Sequence, residues 1–211
     1  MRTVLKIKTV CKFLLDFIFP IEKIKMKDLE ADCFYKKKTT DIAHTSLSYR
    51  SSIVRDLIHG LKYDKNFYAS SICAQLVAEN ILELSKKENI SGAIIIPIPR
   101  LKSRIQKYGF NQCEILCVEI LKNLEIKKLN FKYFPKILIQ HKNFETQTKL
   151  SRKNRIANAE QSFSVKSPGA IAGQKIILID DVWTTGATLL DAERALKNAG
   201  ICSVFKFTIA H

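Results

Sequence analysis

Residues Ile176–Thr188 read IILIDDVWTTGAT, the most informative segment of the sequence. It begins with four apolar residues, which are typical of a buried parallel strand, and two carboxylates follow at once, Asp180 and Asp181. The Thr184–Thr188 loop then leads into a segment whose apolar spacing predicts a helix. Because ligands in open α/β sheets bind at the carboxyl ends of the strands, the two carboxylates are expected to lie at a binding site.

The Thr184–Thr188 loop has the composition of a phosphate-binding turn. Backbone N–H groups point outward at a helix N-terminus, where the helix dipole favours an anion. Gly186 permits close approach of the backbone, and three threonines supply hydroxyl groups. Beside two carboxylates that take ribose hydroxyls or a Mg²⁺ shell, the loop predicts a sugar-phosphate site. The alternative is an exposed acidic turn followed by a helix cap, and a match over so many patterned positions argues against it.

Strand and helix patterns alternate along the chain and predict an α/β domain with a mainly parallel, twisted sheet flanked by helices. We assign this domain to residues 47–211, and we assign residues 1–46, with an apolar start and a lysine-rich continuation, to a separate N-terminal segment. The predicted elements are helices across 53–61, 69–84, 111–124 and 188–198, and strands at 93–96, 131–134, 137–139, 175–179 and 203–209.

The composition is that of a globular protein with an excess of positive charge. Lys and Arg number 35 against 20 Asp and Glu, which gives a formal net charge of +15, and 46% of the residues are hydrophobic. Such a charge attracts nucleic acid, anionic membranes or phosphorylated small molecules. The alternative is a lysine-rich composition that serves no binding surface. The apolar run Val10–Pro20 is too short to span a bilayer, so we expect a cytoplasmic protein without stable membrane insertion.

Two further blocks have a composition that suits a phosphorylated ligand. Ile95–Gln112 reads IIPIPRLKSRIQKYGFNQ and places basic residues after a predicted strand, where cations suit a pyrophosphate group. The alternative for this block is a solvated basic face. Gln147–Phe163 is polar, as expected of a lid that closes over a reactive site.

Residues Ile176–Thr188 closely resemble the signature by which type I phosphoribosyltransferases bind 5-phosphoribosyl-1-pyrophosphate (PRPP). With VRDLIHGLKY (Val54–Tyr63) and the pattern GFNQ…Q..LS…R..N…F before the signature, the order of motifs is similar to that of the ComF-type competence proteins, also called amidophosphoribosyltransferase-like. The resemblance covers about residues 47–211. One departure is Trp183, where the family usually has an aliphatic residue; its side chain would either lie over the ligand or pack outside it.

The resemblance implies a type I phosphoribosyltransferase fold and PRPP binding with Mg²⁺. It also implies a cytoplasmic role in natural transformation, with incoming single-stranded DNA and competence-machinery proteins as partners. Asp180 and Asp181 would bind the ribose hydroxyls and form the catalytic pair. The other PRPP-binding residues would be Thr184, Thr185, Gly186 and Thr188 at the 5-phosphate, Val182 and Ala187 beside them, and Arg100, Lys102 and Arg104 near the pyrophosphate.

The chain departs from the family in its N-terminal segment, where members usually carry a four-cysteine zinc ribbon. Cys33 lies in that region, with Cys11 before it, and His44 adds at most a third donor. A structural zinc site takes four nitrogen or sulfur ligands. We therefore expect no zinc. We also assign no residue as a dedicated metal ligand, since Mg²⁺ is expected together with PRPP.

Three functions stay open at this point. As an enzyme, the protein would displace pyrophosphate from C1 of PRPP by a nitrogen or similar acceptor, through an oxocarbenium-like transition state. As a nucleobase salvage enzyme, it would need an aromatic hood over the base, which the sequence does not identify. As a binding module, it would use PRPP or a nucleotide as a regulatory ligand and would hold single-stranded DNA by charge and base stacking through Lys62, Lys65, Lys107 and Tyr108.

Overall fold

The computed structural model describes residues 35–40, 43–126, 129–141 and 162–211 of the 211-residue chain. The predictions for Cys11, Cys33 and most of the 147–163 lid lie outside the described residues, as does most of the predicted N-terminal segment. Within the described ranges, no helix has the length and apolar character needed to cross a membrane.

The described residues form strands and helices in alternation. The strands are β1 (Tyr35–Thr39), β2 (His44–Leu47), β3 (Ile94–Pro97), β4 (Lys132–Tyr133), β5 (Leu138–Gln140), β6 (Phe163–Val165), β7 (Lys175–Val182) and β8 (Ser203–Ala210). The helices are α1 (Ser52–Tyr63), α2 (Phe67–Lys87), α3 (Lys102–Tyr108), α4 (Gln112–Ile126) and α5 (Ala187–Asn198), with a 3₁₀ turn at Pro168–Ala170.

A six-stranded sheet forms the middle layer, with the strand order β1-β2-β8-β7-β3-β4. The strands from β2 to β4 in this order pair in parallel, and among the described strands of this sheet β1 alone runs antiparallel to its neighbour. Strands β5 and β6 form a separate antiparallel pair. The predicted fold, a mainly parallel sheet flanked by helices, is confirmed.

Strand β7 lies near the middle of the sheet and is covered on both faces, which explains its unbroken apolar run. Ile177 and Ile179 pack in the core layer that contains α1, α2 and α4, whereas Ile176 and Leu178 pack in the layer that contains α5 and the β5–β6 pair. All four side chains are fully buried. Since successive side chains alternate between the faces of a strand, Asp180 and Asp181 at the end of β7 have different neighbours.

Helix α1 places a basic residue near the end of β7. The helix begins after Ser51, whose hydroxyl accepts a hydrogen bond from the Val54 N–H at 3.5 Å. Its apolar residues recur at helical spacing, so that one face of the helix is buried against the core. Lys62 belongs to the last turn, where its side chain is one quarter exposed. The buried residues of this face are Val54, Leu57, Ile58 and Leu61.

Several short elements were not predicted from the sequence. Strand β2 buries polar residues, among them Ser46, whose hydroxyl accepts a hydrogen bond from the Asn80 side chain at 2.8 Å. A strand that buries hydroxyl groups lacks the apolar pattern on which sequence reasoning relies. Strand β2 also contains the predicted domain boundary between residues 46 and 47. Helix α3 lies where we expected a basic loop, and it ends at Gly109, which has a φ of 81°.

Candidate functional site

A cleft of about 360 Å³ opens at the carboxyl ends of β3 and β7. Its walls come from α1, the loop after β3, the first turn of α4, the end of β5 and the loop after β7. Most of the predicted PRPP residues line it, namely Arg100, Arg104, Asp180, Asp181, Val182, Thr184 and Thr188. The others, which are Lys102, Thr185, Gly186 and Ala187, are not among the lining residues.

Asp181 is held by two protein donors. Its Oδ1 lies 3.2 Å from Nζ of Lys62, and its Oδ2 accepts a hydrogen bond from Nε2 of Gln112 at 2.8 Å. The Asp181 side chain is only 7% exposed, so this ion pair is largely shielded from water. Burial alone would lower the pKa of Lys62, but the charge of Asp181 and the hydrogen bond to it raise that pKa above its usual value.

Asp180 has a different environment, although it is the next residue in the chain. Its Oδ1 accepts a hydrogen bond from the Asp181 N–H at 2.9 Å and lies 3.6 Å from the thiol of Cys113. Burial and, after it, the negative charge of Asp181 raise the pKa of Asp180 to about 7. This carboxyl group therefore exchanges a proton near neutral pH, a property that is common among functional carboxyl groups.

The GFNQ block brings the start of α4 against the carboxylates. Oδ1 of Asn111 accepts a hydrogen bond from the Cys113 N–H at 3.0 Å, and Nδ2 of Asn111 donates to the carbonyl of Ile98 at 3.1 Å. These bonds join the first turn of α4 to the segment after β3, so that Gln112 and Cys113 reach Asp181 and Asp180. In the sequence this block is recognisable only as a family motif, and the contact made by Gln112 was not predicted from it.

Arg100 lines the cleft and also anchors its walls. Its Nη1 lies 3.4 Å from the carbonyl oxygen of Lys62 and 3.2 Å from that of Phe110. The guanidinium carbon lies 4.6 Å from the ring centroid of Tyr108, which is the geometry of a cation–π contact. Arg100 therefore connects the end of α1 with the loop that precedes α4.

The Thr184–Thr188 loop has the local structure of an anion site. Gly186 has a φ of 79°, a left-handed conformation that favours glycine, and α5 begins at the next residue. Thr184 and Thr185 are exposed, and the hydroxyl of Thr185 accepts a hydrogen bond from the Ala187 N–H at 3.4 Å. The N–H groups that follow Ala187 in the first turn have no partner within the helix, so they are available to a ligand in the cleft.

The sequence left open whether the Trp183 side chain lies over the ligand or packs outside it. The Trp183 side chain is only 7% exposed, and it belongs to the core layer on the α5 side. Its ring stacks on His211 with the centroids 3.9 Å apart and the planes inclined by 14°. Trp183 is not among the residues that line the cleft. Its side chain therefore packs outside the candidate ligand site.

The four residues expected to contact nucleic acid occupy three different positions. Lys107 and Tyr108 lie together at the edge of the cleft, with Nζ of Lys107 5.1 Å from the Tyr108 ring centroid. The Tyr108 ring is in turn 5.2 Å from the ring of Tyr63, a residue that lines the cleft. Lys65 is exposed between α1 and α2, and Lys62 points to Asp181 inside the cleft.

One group of possible metal ligands was found among the described residues. Ligand atoms of Cys113, Asp180 and Asp181 lie within 4.8 Å of one another. Burial and, after it, the charges of the two carboxylates raise the pKa of the Cys113 thiol well above its usual value, so the thiol stays protonated. Mg²⁺ takes oxygen ligands, and a protonated thiol is not one of them. The two carboxylates therefore fit Mg²⁺, and Cys113 does not contribute.

Comparison with known proteins agrees with this geometry. The Phosphoribosyl transferase domain family matches residues 110–210, a range that contains both carboxylates and the Thr184–Thr188 loop. "Competence protein F" from Haemophilus influenzae is 29% identical over 69% of this chain and 62% of that protein. Two proteins named "Competence protein ComFC" are also similar. The one from Streptococcus pneumoniae is 26% identical over 88% of this chain and 74% of its own length. The one from Bacillus subtilis is 35% identical over 55% of this chain and 43% of its own length.

The chain is similar to the ComF-type competence proteins and contains a match to the Phosphoribosyl transferase domain family. This agrees with the resemblance noted in the sequence. The matched part of the chain spans about 62% of the length of the first of these relatives, so what a whole relative does is not thereby assigned to this chain.

Replacing Asp180 with asparagine is expected to stabilise the protein at pH 8. The carboxyl group titrates near 4 when the chain is unfolded and at about 7 when it is folded, so the stability that it contributes is present below pH 4 and is lost as the pH rises through 7. Asparagine resembles the neutral acid at every pH. The gain in the free energy of unfolding over wild type should therefore grow from near zero at pH 4 to a few kcal/mol at pH 8.

Urea denaturation at the two pH values measures this gain. Asp56→Asn, at an exposed position of α1, is the matched control and should show no such gain. A gain for Asp180→Asn that is equal at pH 4 and pH 8, or a loss of stability at pH 8, would contradict the assignment of a proton to this buried carboxyl group.

Proposed function

We propose that the cleft binds PRPP, with the 5-phosphate at the Thr184–Thr188 loop, the ribose hydroxyls at Asp180 and Asp181, and the pyrophosphate towards Arg100 and Arg104. The observation that carries this proposal is the meeting of a carboxylate pair, a helix N-terminus and basic side chains in one cleft at the carboxyl ends of two parallel strands. Its volume of about 360 Å³ lies in the range of small-molecule sites.

The phosphate groups and the ribose hydroxyls of the ligand need opposite chemistry, and the cleft offers both. A 5-phosphate takes hydrogen bonds from the free N–H groups of α5 and from threonine hydroxyls. Ribose hydroxyls are donors, which carboxylates accept in short, charge-assisted hydrogen bonds. Arg104 lines the cleft on the side of α3, where its charge suits a pyrophosphate. Lys102 lies at the start of the same helix with an exposed side chain, and we expect it to act on the ligand at longer range.

Mg²⁺, when bound with PRPP, supplies positive charge that neutralises the pyrophosphate, and the oxygens of Asp180 and Asp181 are the protein groups that fit it. If transfer follows, the bond between C1 and the pyrophosphate oxygen breaks, the electron pair leaves with the pyrophosphate, and an acceptor nitrogen bonds to C1. The acceptor then loses a proton to solvent.

We test the PRPP site by calorimetric titration of PRPP and Mg²⁺ into the wild type and into the Asp180→Asn/Asp181→Asn double variant. The double variant loses two charged acceptors, each of which is worth about 1.5–3 kcal/mol towards a donor, so its affinity should fall at least about tenfold. Asp56→Asn is the matched control and should bind as the wild type does. Circular dichroism checks that each variant is folded. Absence of binding by the folded wild type, or equal binding by the double variant, would reject the site.

A second function, binding of single-stranded DNA, is favoured by the side chains at the edge of the cleft. Tyr63 and Tyr108 present neighbouring rings, and the cations of Arg100 and Lys107 lie over the Tyr108 ring. Stacking of bases on aromatic rings and charge attraction to the backbone are the two interactions by which proteins hold single strands without sequence preference. We therefore propose that this edge binds incoming single-stranded DNA in natural transformation.

Tyr108→Ala is expected to weaken binding of a single-stranded oligodeoxynucleotide, whereas Tyr108→Phe, which keeps the ring, is expected to bind as the wild type does. Loss of one stacked base costs about 1–3 kcal/mol, which corresponds to a decrease in affinity of about fivefold or more. Fluorescence anisotropy measures this, and a salt series separates stacking from charge. Equal affinities of the two variants would remove Tyr108 from the DNA surface.

A further inference from the structure

We propose that Lys62 is an exchangeable cation of the ligand site, which leaves Asp181 when PRPP binds and pairs with the pyrophosphate of the ligand. The inference rests on the proposed PRPP site. It adds Lys62 to the residues of that site and states which contact changes when the ligand binds. In the free protein, Lys62 occupies a carboxylate oxygen that the ribose hydroxyls require.

Both carboxylate oxygens of Asp181 are engaged by protein donors. One carboxylate oxygen is 3.2 Å from the ammonium of Lys62, and the other is 2.8 Å from the amide nitrogen of Gln112. Each oxygen keeps a second lone pair, but the Asp181 side chain is only 7% exposed, so little of it is open to the cleft. A ligand therefore gains full access to Asp181 when it replaces one of the two donors.

Gln112 is the donor that stays. It is the first residue of α4, and Asn111 fixes this turn through hydrogen bonds to Cys113 and Ile98. The second amide atom of Gln112, Oε1, is buried and has no hydrogen-bond partner among the described residues. An unsatisfied buried acceptor is costly, and a hydroxyl group of the ligand would satisfy it. Gln112 is therefore suited to remain beside Asp181 when the ligand is bound.

Lys62 is the donor that can leave. Its ammonium is carried by a four-carbon stem, its side chain is one quarter exposed, and it lines the cleft. The base of the stem is fixed, because the carbonyl oxygen of Lys62 accepts a hydrogen bond from Arg100 at 3.4 Å. The amine can thus change its partner within the cleft while the last turn of α1 stays in position.

The exchange makes the site selective for a ligand with two kinds of group. Separating this shielded ion pair leaves Lys62 without its partner and Asp181 with Gln112 alone, which is unfavourable. The loss is offset only when the ligand gives Asp181 hydroxyl donors and gives Lys62 an anion at the same time. PRPP supplies both. Ribose 5-phosphate supplies the hydroxyls and the 5-phosphate but lacks the pyrophosphate, so it cannot provide a new partner for Lys62.

Calorimetric titration of Lys62→Met tests the exchange with two ligands, PRPP and ribose 5-phosphate, each in the presence of Mg²⁺. Methionine keeps most of the stem and removes the charge. The affinity for PRPP should fall at least about tenfold, because one charge-assisted contact is lost. The affinity for ribose 5-phosphate should be unchanged or higher, because no ammonium competes for Asp181. Lys86→Met, at an exposed position in the last turn of α2, is the matched control and should bind both ligands as the wild type does.

The opposite responses separate an exchanging Lys62 from a structural one. If Lys62 only held Asp181 in place, affinity for both ligands would fall together, and if it were irrelevant neither would change; either result overturns the inference. If Lys62→Met does not fold, Lys62→Gln is titrated in its place, because glutamine is neutral but can donate a hydrogen bond to Asp181. We then expect the ratio of the affinity for PRPP to the affinity for ribose 5-phosphate to be lower than in the wild type. An unchanged ratio would contradict the inference. Failure of the folded wild type to bind PRPP would overturn both the proposed function and this inference.

Discussion

The candidate site depends on the ion pair and the hydrogen bond that Asp181 forms with Lys62 and Gln112. These contacts join α1, α4 and β7, three elements that are distant in sequence, at the carboxyl end of the sheet. Because the pair is shielded from water, breaking it without compensation is unfavourable, and the cleft keeps its shape. Arg100 strengthens this arrangement by connecting the end of α1 with the loop before α4.

The two adjacent carboxylates differ because a strand directs them to different surroundings. Asp181 meets an ammonium and an amide, whereas Asp180 meets a backbone N–H and a thiol. Burial beside a second negative charge raises the pKa of Asp180 to about 7. Asp181 is thus suited to bind by charge, and Asp180 is suited to hold or release a proton. In many sites, different environments give two neighbouring acids different roles in this way.

The central strand and its loop could be predicted from the sequence because their signals are local. Four apolar residues, two carboxylates and a threonine- and glycine-containing loop all lie within residues 176–188, so the local pattern indicates strand, site and turn. Strand β2 could not be found in this way, since it buries hydroxyl groups, one of which accepts a hydrogen bond from Asn80. The contacts of Asp181 also escaped prediction. Gln112 is 69 residues away in sequence, and Lys62 was interpreted as a nucleic-acid contact, because no local pattern shows which charge a lysine faces in the fold.

A crystal structure of the protein with PRPP and Mg²⁺ would show whether the cleft is the ligand site. We expect the 5-phosphate within hydrogen-bonding distance of the Thr184–Thr188 loop, the ribose hydroxyls against Asp180 and Asp181, and Nζ of Lys62 next to the pyrophosphate instead of Asp181. Ligand density in another part of the molecule, or an empty cleft at saturating PRPP, would contradict this expectation.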